Sequence, residues 1–170
     1  MGRFLFLLGS LMALLRQIIL AHFQVINEGS PTPETAFAIT DVELSQAFYG
    51  QLAPAAADYY SFEVAPETEV PFSMLIPTHH HEAGFLPTIT LYGPGLPPTG
   101  LLFPAGDAGA RKGTTSYQRT QQAAPTLAGG GYLVEVRGPT AGVYCFCIGT
   151  REPKAYADKA TRERVKALLA

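Results

Sequence analysis

Three consecutive imidazoles, His79, His80 and His81, followed by Glu82, are the residues in this chain with the most evident chemistry. Imidazole and carboxylate ligands suit Zn(II), Cu(II) or Ni(II). In an extended segment neighbouring side chains point to opposite sides, so only His79 and His81 of the three face one ion without a tight turn. A polar surface loop accounts for the same residues with no metal at all. Cys145 and Cys147 are the only cysteines. On a strand they share one face, with Cα atoms ~6.5–7 Å apart, at the far limit of disulfide geometry. Two soft ligands suit Cu(I) or Zn(II). As small apolar residues packed under a loop, helix or neighbour they need no ligand. Asp41, Asp58 and Asp107 sit near expected strand ends, but without the dense carboxylate cluster of a calcium loop. Asp58 reads as a turn-forming carboxylate bonded to backbone N–H groups. Nucleophilic catalysis lacks its pieces: there is no G-x-S-x-G, and no Ser or Cys with an evident His/Asp pairing. Gly129-Gly130-Gly131 is a flexible turn entering a strand, not a phosphate loop. The sequence therefore reads as a non-enzyme with no cofactor.

Charge narrows the partners. Net charge is −2, yet residues 24–110 hold no Lys or Arg and carry ten carboxylates. Phosphate recognition needs clustered cations, so nucleic acid is excluded as a partner. Cations gather at Arg3 and Arg16 and in the tail from Arg151 onward.

Residues 4–26 are almost wholly apolar, and as a helix would be ~34 Å long, close to a bilayer core. Arg3 and the apolar run after it look like the start of a secretory signal. Without a clean small-x-small cleavage site, residues 1–26 read as a poorly cleaved signal peptide or a retained signal anchor. Residues 27–40, rich in turn formers, read as a linker. From there to residue 150 apolar residues alternate with period two, the strand signal, between Gly/Pro turns. Strands are expected near residues 45–52, 60–64, 70–76, 89–91, 101–103, 116–120, 132–136 and 143–148, with Pro71 suggesting an edge position. About eight short strands predict an all-β antiparallel sandwich of jelly-roll type. Its core would hold Tyr60, Phe62, Val64, Phe72, Met74, Ile89, Leu91, Tyr132, Val134, Val136, Tyr144, Phe146 and Ile148. Residues 151–170 are expected to end in a basic, solvated helix with a weak stripe of Ala157, Thr161, Val165 and Leu168.

The run Asp58-Tyr59-Tyr60-Ser61-Phe62-Glu63-Val64 resembles the D-x-Y-x-F-x-V strand of bacterial pre-peptidase C-terminal (PPC-type) β-sandwich domains. Gly50-Gln51-Leu52 stands where that family has a G-x-L strand end. Pro87-Thr88-Ile89-Thr90-Leu91-Tyr92 is similar to its D-P-x-L-x-L-Y strand, with Leu86 where Asp is usual. Gly130-Gly131-Tyr132-Leu133-Val134-Glu135-Val136 and Gly142-Val143-Tyr144 through Ile148 resemble its last two strands. The matches fall in order over residues 41–150. The resemblance implies a jelly-roll-like sandwich of secreted or surface proteins that is appended to enzymes and does not itself catalyse.

The expectation is thus an extracytoplasmic sandwich, periplasmic or at the cell surface, either anchored in a membrane through its N-terminal segment or secreted. It would contact another protein or a surface polymer, one version being an accessory subunit of a membrane complex. The alternative is a copper- or zinc-binding module using His79, His81 and Glu82, with Cys145 and Cys147 as further ligands.

Overall fold

The computed structural model describes residues 22–105, 110–111 and 116–170. Residues 4–21 of the expected N-terminal helix, and Asp107, lie outside them. In chain order the strands are β1 (Phe23–Ile26), β2 (Phe37–Ala38), β3 (Gln46–Leu52), β4 (Ala57–Val64), β5 (Thr68–Glu69), β6 (Phe72–Pro77), β7 (Thr88–Tyr92), β8 (Leu101–Leu102), β9 (Ala110–Arg111), β10 (Tyr117–Ala123), β11 (Thr126–Leu127), β12 (Gly130–Arg137) and β13 (Gly142–Ile148). Two α-helices, α1 (Thr78–Glu82) and α2 (Lys159–Leu168), and one 3-10 turn at Pro33–Thr35 complete the described elements.

The strands form a β-sandwich. One sheet has the order β1-β3-β13-β6-β10-β9, the other β2-β4-β12-β7-β8, and β11 with β5 makes a small separate ribbon. Pairing is antiparallel except at the two N-terminal strands: β1 runs parallel to β3, and β2 parallel to β4. Period-two alternation sends Tyr60, Phe62, Tyr132, Val134, Tyr144 and Phe146 between the sheets, all buried. Rings meet across the sandwich: Tyr60 lies 4.9 Å from Phe146 and 5.3 Å from Phe48, centroid to centroid. A register shift in β10 between Arg119 and Gln121 turns the Gln121 amide inward. There it accepts from Ile89 N (2.8 Å) and donates to the Phe103 carbonyl (2.7 Å), tying the two sheets together. This buried amide is acceptable because both of its ends are satisfied.

Several expectations need correction. Residues 23–26 are a strand, not the end of a helix. The apolar run of Phe23–Ile26 is explained by its ladder with Gln46–Tyr49, a nonlocal pairing that local hydropathy does not reveal. Among the described residues no helix is long and apolar enough to cross a membrane. Residues 27–40 are not a free linker, because Asn27 and Ser30 are buried and β2 joins the sheet. Pro71 does not mark an edge: β6 lies between β13 and β10, and the ladder begins after the proline. The three histidines are not extended. Pro77 precedes them, Gly84 at φ +88° follows, and Phe85 N closes the turn on the His80 carbonyl at 3.0 Å. The C-terminal helix is not solvated on all sides. Asp158 caps it by accepting from Thr161 N at 2.9 Å, and Val165 is buried against the six-stranded sheet.

Candidate functional site

Alternation gives each sheet an outer face as well as an inner one, and the two outer faces differ. On the six-stranded sheet the outward residues Ala47, Tyr49, Leu75, Cys145 and Cys147 are buried in a second apolar cluster with Val165 of α2. Ile26, Tyr117, Leu168 and Leu169 flank it. Every residue of β13 is buried as a result. Cys145 and Cys147 are not joined by a disulfide, and their Sγ atoms lie 3.6 Å apart. Their mutual hydrogen bond and their burial push the Cys145 thiol far above its ordinary range. Both effects disfavour the thiolate that would attack a substrate or bind a metal. Burial, with Cys145 alongside, likewise raises the Tyr49 phenol.

Apart from Ala57 at the start of β4, the outer face of the five-stranded sheet is half-buried to exposed. It presents Tyr59, Ser61 and Glu63 from β4, Gly131, Leu133, Glu135 and Arg137 from β12, and Thr88, Thr90 and Tyr92 from β7. A cleft of about 700 Å³ crosses it, within the size range of ligand sites. Ala38, Ser61 and Gly131 keep it low, and Thr40, Glu63, Leu133 and Tyr92 border it. Beside the cleft, Arg137 Nε donates to Glu135 Oε1 (2.7 Å) and the Tyr59 hydroxyl to Glu135 Oε2 (2.8 Å). The Arg137 hydrogen bond lowers the Glu135 pKa, against the effect of burial and with help from Tyr59. This cluster uses its charges internally. It has no nucleophile poised by a base.

The sequence-derived candidates fall elsewhere. On α1, i and i+2 residues lie about 200° apart, so His79 and His81 face different ways. His79 and Glu82, at i and i+3, share a side. The His79 and His80 rings sit 4.3 Å apart. Burial and the neighbouring His79 lower the His80 pKa. Among the described residues no three of His, Cys, Asp and Glu come together as a metal site, so His79, His81, Glu82, Cys145 and Cys147 are not one constellation. Asp41 accepts from Glu43 N and Leu44 N and pairs with Arg151. Asp58 is not a local turn former. It is buried, and accepts from Ser30 N (2.8 Å), the Ser30 hydroxyl (3.4 Å) and the Tyr144 hydroxyl (2.7 Å). Tyr144 also shares a 2.7 Å hydrogen bond with Tyr60, and Asn27 Nδ2 donates to Ser30 Oγ at 2.8 Å. This polar knot holds the N-terminal segment in the sandwich. The open face was absent from the sequence-derived candidates. The signal for it was present: Leu133, Glu135 and Arg137 alternate outward, whereas β13 offers only Val143, Cys145 and Cys147.

No family model matches this chain, and no curated protein matches it. Solved structures do. The pre-peptidase C-terminal domain of a collagenase from Bacillus anthracis is 20% identical, with 69% of this chain and 97% of that chain covered and a TM-score of 0.45. It belongs to the domain type whose strand motifs this sequence resembles. PliG of Salmonella Typhimurium, a periplasmic inhibitor of g-type lysozyme, is 14% identical, covering 68% and 99% of the two chains, with a TM-score of 0.41.

Proposed function

We propose that this domain is a non-enzymatic protein-interaction module that works outside the cytoplasm and docks through the outer face of its five-stranded sheet. The observation that carries the reading is the unequal treatment of the two outer faces. One is buried in an apolar cluster that includes Val165 of α2, while the other is left open with a cleft, aromatic and aliphatic contact groups, and a polar rim. That mixture is typical of protein-binding surfaces. The non-enzymatic part is supported by where the reactive groups sit: both thiols are buried, the Cys145 thiol is pushed far above its ordinary range, and the carboxylates Asp58 and Glu135 are engaged in structural hydrogen bonds. In this reading the apolar N-terminal residues direct the domain across a membrane or tether it there, and the domain serves as an accessory subunit to a larger membrane assembly.

Leu133→Glu tests the docking surface, because it changes the open face without touching the inward residues. Proteins that co-purify with the wild-type chain from native envelopes are expected to be lost from Leu133→Glu and kept by Arg162→Glu on α2. Retention of those proteins by a folded Leu133→Glu variant refutes the assignment.

A further inference from the structure

We propose that the cleft accepts an extended peptide segment of the partner protein as a short added strand beside β4, with a Lys or Arg of that segment directly opposite Glu63. The inference rests on the open-face reading above and names the partner's chemistry. β2 covers only part of the β4 edge. Phe37 and Ala38 pair with Tyr60 and Ser61, and Ile39 N donates to the Ser61 carbonyl at 2.8 Å. Tyr59 N donates on the same side, to the Ser30 carbonyl at 2.8 Å. The odd-numbered residues of β4 therefore aim their backbone groups at this edge, and the even-numbered ones at β12. Glu63 is next in the series. Its N–H and C=O have no partner among the described residues.

The cause is local. Asp41 accepts from the N–H groups of Glu43 (3.2 Å) and Leu44 (3.1 Å), turning the chain away after Thr40. The Glu63 backbone is left facing the space that Ile39, Thr40 and Glu63 border in the cleft. An unpaired N–H and C=O on one exposed sheet-edge residue form a template for a partner strand. In a hydrogen-bonded antiparallel pair, the residue opposite Glu63 places its side chain on the same face. Glu63 is exposed and has no ion pair among the described residues. Glu67 and Glu69 follow on the adjoining turn and β5, within a stretch of the chain that holds no cation. A cationic side chain is the complement, and an acidic one is repelled.

The test uses the full-length 15N-labelled chain in detergent micelles. The probe is the capped pentapeptide Val-Lys-Lys-Lys-Val, beside a copy N-methylated at the central lysine and a Val-Glu-Glu-Glu-Val control. In the free protein the Glu63 amide is expected to exchange with solvent at least tenfold faster than that of Ser61. The lysine peptide, at about millimolar concentration, slows that exchange and shifts the Glu63 resonance saturably. The N-methylated and glutamate peptides do so at least tenfold more weakly, and Glu63→Lys reverses the lysine-over-glutamate preference. A Glu63 amide as protected as Ser61 in the free protein, or equal effects of the parent and N-methylated peptides, overturns strand addition. In either case the docking-face reading stands or falls separately, on partner retention by Leu133→Glu.

Discussion

Tyr144→Phe removes one oxygen from the centre of the sandwich and tests whether the buried polar knot is a principal stabiliser. The substitution preserves the ring, so the core keeps its packing and no cavity opens. The lost hydroxyl donates to Asp58 at 2.7 Å and shares a 2.7 Å hydrogen bond with Tyr60. A hydrogen bond to a charged group contributes about 1.5–3 kcal/mol and a neutral one about 1 kcal/mol. Tyr144 and Tyr60 are both fully buried, so water does not replace the lost partner. The expected cost is about 2.5–4 kcal/mol, a fall in Tm of about 5–16 °C for a domain of this size. Tyr132→Phe is the control. Its hydroxyl bonds two neutral carbonyls, of Pro94 and Ala128, at the margin of the core, and its loss should cost about 0.5–1.5 kcal/mol. Urea unfolding with linear extrapolation gives both numbers. Asp58→Ala and the double variant complete a thermodynamic cycle, with an expected coupling of about 1–3 kcal/mol. If Tyr144→Phe lies within 1 kcal/mol of wild type, or the two substitutions are additive, the knot is not the anchor described here.

Further outcomes follow from the same contacts. Gly50→Ala would place a Cβ 2.4 Å from the Tyr144 hydroxyl and 2.5 Å from Cζ, so it should destabilise by about 1–3 kcal/mol through overpacking, read by the same unfolding assay. Deleting residues 158–170 removes Val165 from the apolar cluster that holds the thiols. Cys145 and Cys147 should then react with a thiol reagent in the folded protein at least tenfold faster than in the full chain. The Glu135 pKa is depressed in the folded protein, chiefly by the Arg137 hydrogen bond. Its contribution to stability is therefore complete above the ordinary carboxylate pKa, about 4.3, and is lost as pH falls through the depressed value. Acid unfolding of Glu135→Gln should show a correspondingly shallower loss over that window.

The sandwich was legible where local pattern and tertiary structure agree. The sets Tyr60/Phe62, Tyr132/Val134/Val136 and Tyr144/Phe146/Ile148 alternate in sequence and are buried in the structure, because a two-residue period can satisfy only one arrangement of a half-buried strand. Features that depend on distant partners were not legible. Phe23–Ile26 continues an apolar run and so resembled a helix end, yet its conformation is set by β3, some twenty residues later. Asn27 and Ser30 carry ordinary turn residues, and their burial follows from Asp58. The sequence pattern predicts a loop at His79–His81. The helical turn comes from Pro77 before them and the Gly84–Phe85 closure after them, which the imidazoles do not encode.

The fate of each outer face has a sequence signature that inward alternation alone leaves unused. On β13 the residues opposite the core are Val143, Cys145 and Cys147, and opposite them in register stand Gln51, Tyr49 and Ala47. No charge lies among these six, so the face cannot rest in water without exposing a continuous apolar strip. The strip is buried in an apolar cluster to which α2 contributes Val165. On β12 the corresponding residues are Leu133, Glu135 and Arg137, facing Ser61, Tyr59 and Ala57. A carboxylate and a guanidinium within hydrogen-bonding reach of a phenol satisfy one another at the surface, so that face is stable uncovered. It nevertheless retains Leu133 and Tyr92 beside the cleft, apolar surface without a covering element of its own. In the proposed reading the two faces separate stability from recognition: α2 adds Val165 to the buried face, and the open one is left for a partner to cover.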